Sequence, residues 1–269
     1  MAERPTTATP PVHRLPAGLV VPAVVGVLLM VVPLLGLVVR TPWSGLIDLL
    51  ITPGTAEALG LSLITATSAT AVSVVLGVPL ALLLARPGLP GAGLLRAVVT
   101  VPLVLPPVVG GVALFAALGR TGLLGGPVHE LTGWALPFTS AAVVVAQVFV
   151  AMPFLVLGVE GALRALDPRH AEVAALLGSS PWRTFWTVTL PLIRPGLVSG
   201  AVLTWARALG EFGATITFAG NFPGTTRTLP LQVYTSLQTD VATAIGLSMI
   251  MLATSVIVLV AARGRWGRA

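Results

Sequence analysis

The sequence predicts an all-α polytopic membrane protein with six transmembrane helices. Apolar side chains make up 55% of the 269 residues and charged ones only 9%, and the mean hydropathy is +0.98. A soluble domain of this length would need many more charged residues to cover its surface. The few charges are grouped, so that the intervals between them are long enough to cross a bilayer as helices.

The spans are these intervals, because a charge at the bilayer centre costs several kcal/mol whereas about 20 apolar residues are enough to cross. The intervals are 15–39, 58–85, 97–119, 131–159, a fifth that begins near Pro191, and 241–262. The first has no evident small-residue cleavage site, so we expect it to be retained as a helix. Residues 15–262 then form the transmembrane domain, between tails of residues 1–14 and 263–269.

Prolines and glycines interrupt the third of these spans. Pro102, Pro106 and Pro107 are followed by Gly110 and Gly111. A proline frees a backbone carbonyl that lipid cannot satisfy, so such a segment usually faces protein or a water-filled path, and glycine allows close helix contact. Ordinary enrichment of proline and glycine in membrane helices is the alternative interpretation.

Arginine supplies all fifteen basic residues and is distributed unevenly about the predicted spans. Eleven arginines fall on one side and three on the other, and Arg207 lies within the fifth span. By the positive-inside rule, both termini and residues 163–191 are cytoplasmic in a multi-pass inner-membrane protein. The net charge of +6 is thus explained by the orientation of the chain in the membrane. We therefore expect no nucleic-acid partner. The eleven are Arg4, Arg14, Arg86, Arg96, Arg164, Arg169, Arg183, Arg194, Arg263, Arg265 and Arg268, and the three are Arg40, Arg120 and Arg227.

Residues 163–191, called the two-helix element below, form the one long charged segment between spans. Asp167 followed by Pro168 predicts a helix start, because the carboxylate can accept from an unpaired backbone N–H and proline has none to leave unpaired. Gly178 suits the left-handed position after a helix end, and Ser180, again followed by proline, repeats the start signal. We therefore predict two short helices that meet at a glycine corner and contact a soluble partner.

The sequence lacks the patterns of catalysis, nucleotide hydrolysis and metal binding. Nothing matches the phosphate-binding loop GxxxxGK[ST], since the glycine-rich stretch 88–93 has neither the lysine nor the hydroxyl. The chain has no cysteine, and its three histidines are too far apart for a local metal site. No paired-carboxylate or Ser-His-Asp pattern stands out. We expect a translocation subunit without a cofactor, and any ATP hydrolysis on a separate chain.

The fifth span, unlike the other predicted spans, contains a pair of opposite charges. Arg207 and Glu211 are four residues apart, hence on one face of a helix, where opposite charges can neutralise one another. Either the pair packs at a dimer axis or pore wall, or it marks the outer end of the helix at headgroup level, where ion pairs cost little.

Residues 210–230 are rich in threonine and glycine, with no acidic residue after Glu211. Hydroxyls, exposed backbone N–H groups and a single arginine suit transient binding of a small tetrahedral oxyanion. An ordinary outer loop of the same composition is the alternative. The candidate residues of a translocation path or gate are Arg207, Glu211, Thr215, Thr217 and Arg227.

The two-helix element resembles the cytoplasmic signature of the permease subunits of bacterial ABC importers. That signature is E-A-A, three residues, G, nine residues, I, any residue, L-P, and the spacing fits throughout. The departures are two small apolar exchanges, Val173 for alanine and Val188 for isoleucine. The resemblance implies a type I ABC importer permease fold and docking of the element on an ATP-binding subunit. The residues it assigns to this coupling are Glu172, Ala174, Ala175, Gly178, Leu190 and Pro191.

Longer stretches are similar to the molybdate permease branch of that family. The most specific are ALGEFGATITF at 208–218 and PGTTRTLP at 223–230, with further similarity at 59–63, 76–86 and 102–111. The resemblance implies a homodimer of this chain with two ATP-binding subunits and an extracytoplasmic oxyanion-binding protein, which moves molybdate or tungstate. Sulfate permeases share much of 208–218, so a sulfate or thiosulfate importer is the alternative. A secondary anion transporter and an intramembrane enzyme or scaffold are less favoured.

Overall fold

The computed structural model describes residues 17–167 and 169–263, and these form helices but no β-strand. The helices are α1 (Ala17–Arg40), α2 (Leu46–Ile51), α3 (Pro53–Leu84), α4 (Ala92–Val104), α5 (Pro107–Leu118), α6 (Gly125–Thr132), α7 (Ser140–Arg164), α8 (Arg169–Leu176), α9 (Pro181–Thr184), α10 (Leu190–Leu209), α11 (Gly213–Phe218), α12 (Leu229–Leu237) and α13 (Val241–Arg263). A 3₁₀ turn at Trp43–Gly45 precedes α2, and a π-helical turn at Phe185–Thr189 joins α9 to α10. The predicted tail 1–14, the tail beyond Arg263 and Pro168 lie outside the described residues.

Five of the described helical stretches are long and apolar enough to cross a membrane, and one bent pair of helices is so when its two members are combined. The five are Gly18–Arg40, Pro53–Leu84, Ser140–Arg164, Pro181–Leu209 and Val241–Ala261. The bent pair consists of α4 and α5, with an angle of 119° between them. Taken as one span, this bent pair completes the six predicted crossings, and the all-α polytopic class is confirmed.

The third span begins earlier than predicted and turns sharply. α4 starts at Ala92 rather than near residue 97, directly after Gly91, which has a left-handed φ of +74°. It ends at Val104, because Leu105 precedes a proline and takes an extended conformation with ψ 134°. Pro107 then opens α5, since proline fits the first turn of a helix.

The fourth and fifth spans also have different limits from those predicted. α7 begins at Ser140 rather than near residue 131, because Gly133 (φ +71°) ends α6 and Thr139 caps α7 by accepting from the N–H of Ala142 at 3.1 Å. Residues 131–139 contain no charge, so hydropathy alone does not reveal this break. The fifth span starts at Pro181 rather than near Pro191, since the π-helical turn carries the helix on into α10.

By its internal contacts the chain divides into residues 1–41, which include α1, and residues 42–269. Within the second unit, α7 packs along both α3 and α10. Small residues bring α7 and α10 together: a Cβ at Gly196 would lie 2.5 Å from the Cβ of Ala162, and one at Gly158 would lie 3.2 Å from the Cα of Gly200. The two backbones are therefore in direct contact, as in small-residue packing of membrane helices.

Glycines also place α11 against α5. A Cβ at Gly111 would lie 2.6 Å from the Cβ of Thr217, and one at Gly213 would lie 2.7 Å from the Cβ of Pro107. Phe218, at the end of α11, is fully buried in a cluster that α5 and α7 share. The chain that follows the fifth span thus folds back into the protein.

Candidate functional site

The two-helix element consists of α8 and α9 joined at a left-handed glycine. Gly178 has φ +78°. Its N–H donates to the carbonyl of Ala175 at 2.9 Å, and the N–H of Ser179 donates to the carbonyl of Ala174 at 3.0 Å. These two hydrogen bonds form a Schellman motif, which satisfies carbonyls at a helix end. The predicted glycine corner is confirmed.

Side chains cap the starts of both short helices. An Asp167 carboxylate oxygen accepts from the N–H of Arg169 at 3.0 Å, and the Ser180 hydroxyl accepts from the N–H of Arg183 at 3.3 Å. Each cap satisfies a donor that would otherwise lack an intrahelical partner. Both caps predicted from the sequence are present, and together with the Schellman motif they define the geometry of the corner.

The element presents apolar side chains outward. Leu176 and Leu177 are 87% and 82% exposed, and Glu172 and Ala175 are exposed on the same helix end. Ala174, by contrast, is buried within the chain. Leucines exposed to this degree beside polar residues are typical of a surface that contacts another protein.

An aromatic cluster in the second half of the element escaped the sequence analysis. The ring centroids of Trp182, Phe185 and Trp186 are 5.2 to 6.1 Å apart, and the two indoles are 71% and 51% exposed. Their spacing of three and four residues was the signal, since it puts all three rings on one helical face. The π-helical turn that contains Phe185 and Trp186 leads into Leu190, which packs on the apolar core, and Pro191, which is exposed.

A buried carboxylate, also missed, lies where the fourth span leads into the two-helix element. The Glu160 side chain on α7 is only 6% exposed and pairs with two arginines. Its Oε1 accepts from the guanidinium of Arg96 on α4 and, at 2.9 Å, from Nε of Arg164. Arg164 also donates to the carbonyl of Leu84, the last residue of α3, at 3.1 Å. The ends of three helices are therefore joined at one carboxylate.

Arg207 and Glu211 form the ion pair that their spacing predicts, with Nη1 and Oε2 2.7 Å apart. The prediction that both lie on one helix face was wrong, because α10 ends at Leu209 and the pair bridges that end. The other carboxylate oxygen accepts from the N–H of Ala214 in α11 at 2.8 Å. The Glu211 side chain is 1% exposed. A pair at headgroup level would leave this carboxylate in water, so the geometry favours the packed arrangement.

Arg227 is held by the loop that contains it. Its guanidinium donates to the side-chain oxygen of Asn221 at 2.8 Å and to the carbonyl of the same residue at 3.3 Å. The Asn221 amide donates in turn to the hydroxyl of Thr235 on α12 at 3.1 Å. All of these partners are neutral, so the positive charge of Arg227 is not balanced by them.

The five candidate path residues do not form a single cluster of polar contacts. In the described part of the chain, no hydrogen bond or ion pair joins Arg227 to the pair of Arg207 and Glu211, or to the two threonines. Thr215 is fully buried, and Thr217 is half-buried and donates to the backbone of its own helix at 2.9 Å. The structure thus joins the ion pair to the start of α11 and leaves Arg227 apart.

Several membrane crossings, an exposed helix-corner-helix element and a buried ion pair at the end of the fifth crossing fit a membrane permease. Residues 77–266 match the family described as "Binding-protein-dependent transport system inner membrane component". The match covers well over half of the chain. The chain belongs to this family of importer permeases.

Relatives and solved structures agree with this family. The proteins named "Molybdenum transport system permease protein ModB" in Mycobacterium bovis and Mycobacterium tuberculosis are each 45% identical over 255 residues, 95% of this chain and 96% of theirs. The protein of that name in Escherichia coli K12 is 43% identical over 183 residues, 68% of this chain and 80% of its own.

The fold is similar to that of two solved transporters. One is a bacterial ABC transporter involved in the import of the acidic polysaccharide alginate, with TM-score 0.71, 16% identity and coverage of 93% of this chain and 94% of that chain. The other is the MetNI methionine ABC transporter in an inward-facing conformation, with TM-score 0.60, 20% identity and coverage of 77% and 92%. At these identities the similarity shows the fold alone, and it confirms the expected ABC importer permease architecture.

Proposed function

We propose that this chain is the membrane-spanning permease of an ATP-driven importer that carries molybdate into the cell. The observation that carries the proposal is 45% identity over 95% of the chain to two proteins named molybdenum transport system permeases. The family is one of membrane components of transport systems. The chain therefore acts as a translocation subunit, and its chemistry is transient anion binding rather than catalysis.

The two-helix element is the proposed contact with a separate ATP-binding subunit. Its exposed leucines and its capped, hydrogen-bonded corner offer a preformed apolar surface. In the proposed contact, Glu172 makes a polar interaction, Gly178 provides the corner and Ala175 allows close approach. Ala174 supports the corner from within, and Leu190 and Pro191 connect the element to α10.

The proposed assembly has two copies of this chain, because each copy offers one such element and two ATP-binding subunits need two. An extracytoplasmic binding protein delivers the oxyanion. A solved alginate ABC transporter of similar fold is in complex with a periplasmic protein bound to its sugar, which supports this partner class. Nucleotide-driven closure would draw the two elements together and rock the spans outward. The arginine bias supports a cytoplasmic location for both termini.

The geometry near the outer ends of the spans supports an anion path with a neutral ion pair, Arg207 and Glu211, and a separate positive charge, Arg227. Arg207 is neutralised by Glu211, so this pair supplies rigidity rather than net charge. The hydrogen bonds of Arg227 to other described residues go to neutral groups of Asn221, so no carboxylate in them offsets its positive charge. An arriving oxyanion can exchange with Asn221 at the guanidinium in a charge-assisted hydrogen bond, and Asn221 can displace it again.

The test is uptake of labelled molybdate by vesicles that contain this chain with its ATP-binding subunit and binding protein. We expect ATP-dependent uptake that excess tungstate blocks and excess sulfate does not. Competition by sulfate would move the assignment to a sulfate importer. No ATP-dependent uptake of labelled molybdate would reject the proposed cargo.

The same vesicles test the role of Arg227. Arg227→Gln removes the unbalanced charge and should lower uptake by about tenfold or more, since a hydrogen bond to a charged group contributes roughly 1.5–3 kcal/mol. Arg120→Gln makes the same change at an exposed arginine outside the 210–230 segment and should leave uptake unchanged. Equal effects of the two substitutions would contradict the assignment of Arg227 to the path.

A further inference from the structure

The cluster around Glu160 lies where the two-helix element is attached to the membrane spans. Only residues 165–167 and Pro168 separate the end of α7 from the start of α8. We propose that Glu160 is a positioning residue that transmits displacement of the two-helix element to α3 and α4. This inference rests on the proposed function, in which a partner moves the element.

The contacts of the cluster connect α7 to two neighbouring helices, α4 and α3. One connection runs from Glu160 to Arg96 on α4. The other runs through Arg164, which binds the Glu160 carboxylate at 2.9 Å and the Leu84 carbonyl at the end of α3 at 3.1 Å. A shift of the end of α7 therefore displaces hydrogen-bonded groups on both neighbouring helices.

The apolar packing of α4 is limited to Val99 and to Leu95, which packs partly buried on the same core cluster. Val99 is the one buried residue of α4, whereas Leu94, Val98 and Val104 are 74%, 59% and 85% exposed. A buried carboxylate in a low-dielectric environment holds a cationic partner more strongly than an exposed one does. The ionic contact thus adds a polar attachment of α4 to α7 beside the apolar packing of Val99 and Leu95.

The exposure of the arginines allows the proposal to be tested without unfolding the protein. The carboxylate is 6% exposed, but the side chains of Arg96 and Arg164 are 39% and 53% exposed. Removing the carboxylate charge by Glu160→Gln therefore leaves both guanidinium groups in reach of water, and no unpaired charge is buried. Gln has the same shape and keeps an acceptor, so the substitution weakens the connection rather than leaving a cavity.

The decisive quantity is the number of ATP molecules hydrolysed per molybdate ion transported by the assembled transporter in vesicles. We expect Glu160→Gln to raise this ratio at least about fivefold, the lower end of typical coupling between sites. Arg96→Gln should raise it in the same direction. Glu130→Gln, the same chemical change at an exposed carboxylate on α6, should leave it unchanged. A merely structural role would lower hydrolysis and uptake in proportion, and an unchanged ratio would overturn the proposal.

A second measurement separates failure of this inference from failure of the proposed cargo. Because the chain has no cysteine, spin labels can be attached at Leu94→Cys on α4 and Ala165→Cys at the end of α7. In an assembly in which only one of the two copies carries the labels, we expect a single narrow distance between them, with and without nucleotide, and a broad distribution after Glu160→Gln. Equally narrow distributions would overturn the role of Glu160, even if the transporter hydrolysed ATP without moving molybdate.

Discussion

At the scale of single residues, Gly178 shows how a backbone conformation can carry a functional role. It has φ +78°, and a Cβ added there would meet no atom within 4 Å. The penalty for another residue is therefore conformational, about 1–2 kcal/mol for an L-residue in the left-handed region. Gly178→Val should stay in the membrane but lower uptake per inserted protein by roughly five- to thirtyfold, since each 1.4 kcal/mol is about tenfold.

Two further substitutions sharpen this test of Gly178. Gly178→Asn should retain more uptake than Gly178→Val, because asparagine tolerates the left-handed region better than a β-branched residue does. Gly93→Ala serves as the control, since Gly93 on α4 has no positive φ and an added Cβ there also meets nothing within 4 Å. Normal uptake by inserted Gly178→Val would remove the corner from the coupling surface.

At the scale of elements, the close approach of α7 and α10 can be tested by a glycine-to-alanine substitution, which adds one methyl group between the two helices. Alanine favours a helix over glycine by about 1 kcal/mol, so a glycine-to-alanine change without a steric conflict should stabilise. At Gly196 the new Cβ would lie 2.5 Å from the Cβ of Ala162, and overpacking of this kind costs about 1–3 kcal/mol. We expect Gly196→Ala to lower the melting temperature in detergent.

The matched control for Gly196 is Gly60→Ala on α3, where an added Cβ has no neighbour within 4 Å. It should leave the melting temperature unchanged or raise it. Ala162→Gly in the Gly196→Ala background should restore stability by removing the facing methyl group. If Gly196→Ala melts like the Gly60 variant, the two helices are not in backbone contact.

The elements also show which features sequence reasoning could reach. Gly178 and Ser180 were predictable, because a cap or a corner depends on residues within a few positions. The break at Leu105 was visible as a run of prolines, but the 119° bend depends on how α5 packs against α11. For Glu160, the spacing to Arg164 four residues later was a local signal of an ion pair, but the contact with Arg96, 64 residues away, exists only in the folded chain.

At the scale of the whole molecule, the arginine distribution predicts which loops face the cytoplasm. The absence of native cysteine makes single-cysteine variants informative at exposed loop positions. Thr121→Cys lies between α5 and α6, on the side predicted to be outside, and Pro90→Cys lies between α3 and α4, on the side predicted to be cytoplasmic. A membrane-impermeant thiol reagent applied to intact cells should modify only the Thr121 variant.

Inverted vesicles should reverse this pattern, because the reagent then reaches the cytoplasmic face first. The reversal matters for the proposed mechanism, since the loop at Pro90 and the two-helix element both carry the excess of arginine and must face an ATP-binding subunit together. Labelling of both variants from the same side would contradict the predicted crossing between the two loops by the bent pair α4 and α5. Labelling of Pro90→Cys alone in intact cells would invert the orientation and place the two-helix element where no ATP-binding subunit can reach it.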